Sequence, residues 1–144
     1  MRFVFDTSVL VDYLRDDEMA ANALFVATEK GNVFISLISF MELWLSHNRS
    51  NAEIQEEIAA LQELCKRLEI RIVPCTHRSQ QQALALLERN RSPLGRNALP
   101  DSLIIATGIT RRAYLVTRDG HWFDVAGSTR ELRVLSPEEL VEEL

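Results

Sequence analysis

Four acidic side chains stand at positions suited to phosphate chemistry. Asp6 follows directly on the apolar run 2–5, and Asp119 comes just after the run 113–117. Asp101 opens a helix-forming stretch behind Leu99-Pro100. Glu42 sits inside 39–46, a stretch otherwise heavy with Phe40, Met41, Leu43, Trp44 and Leu45. If the four meet, electrostatics makes a demand. Two carboxylates about 4 Å apart repel by roughly 4 kcal/mol at an effective dielectric near 20. Such a group stays ionised only around cations; otherwise its pKa values rise. Oxygen donors without His or Cys suit Mg2+ or Mn2+ rather than Zn2+. One or two such ions are suited to hydrolysing a phosphodiester, because they generate a nucleophilic water and absorb charge on the transition state and the leaving oxygen.

Each acid also has a plainer reading. Asp6 and Asp101 suit helix N-caps, a role worth about 1 kcal/mol. Asp119, in Arg-Asp-Gly, suits a turn. Glu42 shares a helical face with Ser39, Ser46 and Arg49. No single acid decides between the two readings; convergence of all four would.

Convergence depends on the elements that carry them. Apolar runs at 2–5, 33–36, 71–74, 113–117 and 132–135 read as short buried strands. Helices are expected at 9–14, 18–29, 39–46, 51–68, 76–90 and 99–111, with a terminal one begun by Ser136-Pro137-Glu138-Glu139. The helix at 51–68 is the clearest, with Ile54, Ile58, Leu61, Leu64, Cys65 and Leu68 at steps of three and four. Ser92-Pro93-Leu94-Gly95 reads as a turn, and the segment holding Gly120 and Gly127 as a loop. Strands alternating with helices predict an α/β domain spanning 1–144, its sheet mainly parallel and covered by helices on both faces. In such sheets ligands gather outside the carboxyl ends of the strands, where Asp6 and Asp119 fall.

The composition is that of an ordinary globular chain: 144 residues, 47% hydrophobic and 26% charged. Disorder, collagen and coiled coil are excluded as the main organisation. No apolar run reaches the roughly 20 residues that cross a bilayer, and the opening Met-Arg-Phe-Val-Phe-Asp is not a signal peptide. Cys65 and Cys75 stand in no CxxC spacing. A reduced, cytoplasmic protein without membrane partners is expected. The net charge of −5 argues against a sequence-blind nucleic-acid coat. Yet 14 of the 16 basic residues are Arg, the better fork for phosphate. Arg89, Arg91 and Arg96 cluster around the Pro/Gly turn, and Arg111, Arg112 and Arg118 follow. Solvated helix ends explain such clusters equally well.

Four segments resemble the motifs of PIN-domain nucleases, in order and spacing, over nearly the whole chain. Val4-Phe5-Asp6-Thr7-Ser8-Val9-Leu10-Val11-Asp12-Tyr13-Leu14 resembles their opening, and Ile38-Ser39-Phe40-Met41-Glu42-Leu43 their second acidic motif. Pro100-Asp101-Ser102-Leu103-Ile104-Ile105-Ala106-Thr107 is similar to the third, and Leu115-Val116-Thr117-Arg118-Asp119-Gly120-His121-Trp122-Phe123 to the fourth. Many such proteins carry an acid just before the aromatic of the fourth motif; here Trp122 stands there and Asp124 follows. Length and layout are most similar to the VapC-type toxins of toxin–antitoxin pairs. The resemblance implies a three-layer α/β/α sandwich with about five strands and Mg2+- or Mn2+-dependent RNA cleavage. It also implies homodimerisation and inhibition by a small cognate antitoxin. Asp6, Glu42, Asp101 and Asp119 become the metal-binding and catalytic acids, with Thr7, Ser8 and Thr117 as polar supports.

On this reading Asp6 and Asp101 bind the main ion. Glu42 and Asp119 hold its waters, orient the attacking water or help a second ion, and Arg96, Arg112 or Arg118 grips a flanking phosphate of single-stranded or looped RNA. Asp12 is expected at the rim or in a structural pair. His121, Trp122 and Phe123 either stack on a base or finish the core. Met41, Trp44 and Leu45 line an interface or pack inside. Two rivals stay open: a metal-dependent DNase or phosphatase using the same acids, and a non-catalytic binding module whose acids are only caps.

Overall fold

The computed structural model describes residues 1–45, 49–95 and 98–144, and the backbone alone at 91–94. Five strands, β1 (Arg2–Phe5), β2 (Asn32–Ser36), β3 (Arg71–Val73), β4 (Tyr114–Val116) and β5 (Arg133–Leu135), form one sheet in the order β3-β2-β1-β4-β5. Every neighbouring pair is parallel. Phe5 lies opposite Ile35 on one side and Val116 on the other. The chain therefore leaves β1 and β4 side by side, and the Asp6 backbone N–H still donates to the Val116 carbonyl at 2.9 Å.

Alternation along these strands builds two cores, since successive side chains point to opposite faces. Phe3, Phe5, Val33, Ile35 and Val116 pack with α1 (Thr7–Leu14), α2 (Glu18–Lys30), α3 (Leu37–Trp44), α4 (Asn51–Arg67) and α8 (Pro137–Glu143). Val4, Phe34, Val73 and Leu115 pack with α5 (His77–Leu94), α6 (Ala98–Thr110) and α7 (Gly120–Ser128). The expected three layers and five strands are present. Gly108 lets α6 sit down on β4, because a Cβ there would come 2.8 Å from the Leu115 side chain. Among the described residues no helix is long and apolar enough to cross a membrane.

Two local expectations fail. The backbone of 92–95 does not form a free turn. Helix α5 bends at Asn90, with φ −124° and ψ 16°, and continues to Leu94. Proline is tolerated in the first turn after such a break, where its missing N–H has no partner to lose. The segment read as a loop around Gly120 and Gly127 is helix α7, started by the Asp119 side chain accepting from the His121 N–H and fixed by buried Trp122 and Val125.

Three helices end in the same device. Past α1, α4 and α6, the residues Asp16, Glu69 and Arg112 take φ values of 63°, 56° and 53°. At each, the next residue's N–H reaches back five positions: Asp17 to Asp12 O, Ile70 to Cys65 O and Ala113 to Gly108 O. These are Schellman closures with a non-glycine residue where glycine is preferred. The left-handed conformation costs an L-residue about 1–2 kcal/mol. Glu69→Gly is therefore expected to stabilise the chain by about 0.5–1 kcal/mol, net of glycine's larger unfolded-state entropy. Urea melts of the two proteins check this, and a lower midpoint for Glu69→Gly contradicts it.

Candidate active site

Parallel pairing brings the exits of β1 and β4 together, and each exit carries a carboxylate. Asp6, Thr7, Ser8, Val11, Asp12, Glu42, Asp101 and Asp119 line one hollow of about 340 Å3. The four acids singled out in the sequence thus reach one place from four separate stretches of chain. Among the described residues no basic side chain lines the hollow.

Each acid is held differently. Asp6 occupies the N-cap position of α1, yet its side chain makes no capping bond. Its Oδ2 instead accepts from the Thr117 hydroxyl at 2.7 Å and the Ser8 hydroxyl at 2.9 Å. Glu42 is half-buried on α3, and its Oε1 accepts from the Thr7 hydroxyl at 2.7 Å; the same hydroxyl lies 2.9 Å from Ser39 Oγ. Asp101 falls inside the first turns of α6, not at its cap, and is buried. Asp119 does cap α7, its Oδ1 accepting from the His121 N–H at 2.9 Å, while its own N–H donates to Thr117 Oγ1 at 3.0 Å. The capping expected of Asp6 and Asp101 therefore fails at both, and Asp119, expected in a turn, is the acid that caps a helix.

Crowding and burial act together on two of these groups. Asp6 is pushed up from 3.8 to about 6, chiefly by burial; the Thr117 and Ser8 hydroxyls pull the other way and Glu42 adds repulsion. Asp101 is pushed up to about 7, first by burial and next by the charge of Asp6, with Glu42 and Asp119 contributing. The Trp122 indole N–H, fully buried and without an acceptor in bonding range, partly offsets this by favouring the ionised carboxylate. A hollow that ionises so reluctantly is one that a cation would relieve.

The donor set fits a hard divalent ion. Among the described residues no three acids stand close enough to enclose an ion by themselves. Asp6 and Asp101 are the two buried acids of the set, and Glu42 and Asp119 are partly exposed.

Of the three arginines expected to grip phosphate, the two among the described residues are placed otherwise. The Arg118 guanidinium is committed to Asp12 at 2.6 Å, Glu138 at 2.9 Å and Asp17 at 3.0 Å. It ties three helices to the β4–α7 turn instead of gripping phosphate, and Asp12 is the structural partner expected of it. Arg112 follows the far end of α6 and lines a different hollow. Arg96 lies outside the described residues. Trp122 belongs to the core. Two contributors escaped the sequence reading: Ser39 as a neighbour of the Thr7 hydroxyl, and Trp122 as a modulator of Asp101. A buried indole N–H in need of an acceptor was the available signal for the second.

A sequence profile of the PIN domain matches residues 3–128. Among curated proteins none matches the sequence. Among solved structures the fold is similar to VapBC2 from Rickettsia felis bound to a promoter DNA fragment, at 19% identity and TM-score 0.72, covering 94% of this chain and 98% of that one. It is also similar to DNA-bound VapBC from Salmonella typhimurium, at 19% identity and TM-score 0.72, covering 95% and 98%. A toxin–antitoxin complex from Klebsiella pneumoniae is 25% identical with TM-score 0.64, covering 93% and 96%.

Without divalent cations, folded Asp6 and Asp101 keep their protons to about pH 6 and about pH 7, against a model-peptide value of 3.8. Between those limits the folded state binds more protons than the unfolded one, so stability falls as pH rises from about 4 to about 7 and then levels off. Asp101→Asn is expected to flatten that fall and to raise the melting temperature in EDTA at about pH 8 by several degrees. Mg2+ or Mn2+ should stabilise the wild type and do so increasingly as the protons leave. Thermal melts across pH, with and without metal, check this; a loss of several degrees in Asp101→Asn would make that carboxylate a structural support.

Proposed function

The chain belongs to the PIN-domain family, a family of nucleases, and from that premise we propose that it is a Mg2+- or Mn2+-dependent endoribonuclease, the VapC-type toxin of a toxin–antitoxin pair. One observation carries the reading: Asp6, Glu42, Asp101 and Asp119 line a single hollow in which, among the described residues, no cationic side chain stands. A divalent ion held there supplies a lowered pKa for a water and takes up charge on the phosphate. Asp6 and Asp101 are its protein ligands. The Thr117 and Ser8 hydroxyls fix the Asp6 carboxylate, and Thr7 fixes Glu42. Glu42 and Asp119 orient the attacking water toward phosphorus. As the new P–O bond forms, the bond to the 3′ oxygen breaks, leaving a 5′-phosphate and a 3′-hydroxyl. An acid-lined hollow of this size admits a phosphate splayed out of a single-stranded or looped RNA rather than one in a regular helix.

The partner belongs to the same reading. The similar structures are toxin–antitoxin complexes. Helix α3, which carries Glu42, leaves Leu37, Met41 and Trp44 exposed, with Leu45 just beyond it. Exposed apolar side chains beside a reactive site support a covering segment from a small antitoxin. A homodimer acting in the cytoplasm completes the proposal.

The test is cleavage of a mixed RNA population by the purified chain. Cutting should require Mg2+ or Mn2+ and stop in EDTA. Thr117→Val should cut about 10–100-fold more slowly, and Asp6→Asn or Asp101→Asn more slowly still. Unchanged cleavage in Asp6→Asn overturns the assignment. Hydrolysis of DNA or a small phosphomonoester but not RNA favours the rival enzyme, and the absence of any Mn2+ site by calorimetry favours a binding module.

A further inference from the structure

A second hollow holds none of the four site acids. It encloses about 710 Å3 at the amino edge of the sheet and is lined by Arg78, Arg112, Arg130 and Arg133, with Glu131 the one acid among its walls. Gln82, Ile109, Thr110 and Ala113 complete the lining. A smaller hollow of about 280 Å3 shares Arg78 and Thr110 and adds Arg2 and Arg111. Six arginines thus band one edge of a protein whose net charge is −5. Among the described residues none of the six forms an ion pair.

Helix electrostatics accounts for only part of the band. Arg111 and Arg112 follow α6, where a cation complements the helix carboxyl end. Arg78 sits in the first turn of α5, where the helix dipole opposes a cation. Arg130 and Arg133 lead into β5 and have no helix end to complement; the Arg133 guanidinium lies 5.5 Å over the Tyr114 ring and that of Arg111 4.7 Å over Phe34, contacts with ring faces rather than with carboxylates. Arg112 moreover occupies a left-handed position, φ 53°, that glycine fills more cheaply. The hollow's apolar content, Ile109 and Ala113, offers no exposed anchor of the kind that holds a protein partner. Arginine forks by themselves suffice for phosphates.

We infer that this amino-edge groove binds the phosphate backbone of the RNA whose scissile phosphate enters the acid hollow. The inference rests on the proposed ribonuclease reading and gives it something the acid hollow lacks. A hollow lined by carboxylates repels a polyanion; of the two arginines in the neighbouring hollow that shares Thr7 and Glu42, Arg15 and Arg49, the second is paired with Glu57, so the amino-edge band is the larger cationic surface able to retain substrate. The two sites lie at opposite ends of α6. The nine steps from Asp101 to Thr110 span about 14 Å, within reach of one RNA strand.

The test reads binding in EDTA, where nothing is cut, by fluorescence anisotropy of a labelled single-stranded RNA titrated at increasing KCl. The variant Arg78→Gln/Arg112→Gly/Arg130→Gln should bind at least about tenfold more weakly and lower the salt slope by about two, as expected for three lost phosphate contacts at roughly 0.7 each. Lys30→Gln/Lys66→Gln/Arg67→Gln removes the same charge from exposed positions that line neither hollow, and should lose far less. Arg112→Gly alone should weaken binding while keeping or raising the melting temperature, which separates contact loss from misfolding. Equal losses in the two triple variants would reduce the effect to net charge and overturn the inference. So would a groove variant that keeps RNA but loses poly-glutamate, the mark of an acidic protein partner. Because no cleavage is measured, failure here leaves the acid hollow's activity standing, and failure of cleavage leaves this result readable.

Discussion

Mutual repulsion among carboxylates at the carboxyl edge of the sheet is the constraint around which the molecule is arranged. Parallel pairing of β1 with β4 puts Asp6 and the β4–α7 turn side by side, and α3 and α6 deliver Glu42 and Asp101 to the same hollow. Burial pushes Asp6 and Asp101 toward the neutral form. Small offsets draw them back: the Thr117 and Ser8 hydroxyls on Asp6, the Trp122 indole beside Asp101, and the amino ends of α1 and α6, which begin at or near these two acids. Helix amino ends favour negative charge by about 0.3–1 kcal/mol each. That is less than the repulsion between neighbouring carboxylates.

The acids are held through a chain of donors. The Arg118 N–H donates to Ser8 Oγ, whose hydroxyl donates to Asp6 Oδ2; the Thr117 hydroxyl donates to the same oxygen, while Thr117 Oγ1 accepts from the Asp119 N–H. Two acids from strands far apart in sequence are thereby indexed to one four-residue turn. The turn is itself anchored by the Arg118 guanidinium on Asp12, Asp17 and Glu138. An isolated surface ion pair contributes little, but one planar fork shared by carboxylates from three elements is a network with fixed geometry. Arg118 serves the chemistry by orienting what touches the acids, a role that no spacing in the sequence distinguishes from gripping phosphate.

All five strands and the four acids were legible because each rests on a strong local signal. Apolar runs such as Phe3-Val4-Phe5 and Leu115-Val116 announce strands buried on both faces, and a carboxylate just beyond each is hard to overlook. Helix α7 was not legible: glycines punctuate it near both ends, and only Trp122 and Val125 mark its buried face, too few to show a helical period. The continuation of α5 past Asn90 was hidden by Pro93, whose usual meaning as a breaker holds only where an N–H is lost. The distribution of arginines was invisible for a different reason: Arg78, Arg112 and Arg130 are neighbours only once α5 is laid against α6 and the lead into β5.

Net charge, read from the sequence as a single number, turned out to be the least informative quantity because the fold separates the signs. In a parallel sheet the connecting helices run opposite to the strands, so acids that follow strands and caps that begin helices collect at one edge, while the basic ends of helices and the lead-ins to strands collect at the other. Asp6, Asp101 and Asp119 obey the first half of that rule, and Arg111, Arg112, Arg130 and Arg133 the second. An enzyme acting on a polyanion gains from this separation. Among the described residues two guanidinium groups near the acids are tied up, Arg118 on Asp12, Asp17 and Glu138 and Arg49 on Glu57, while the band of arginines without carboxylate partners lies about a helix length away at the other edge.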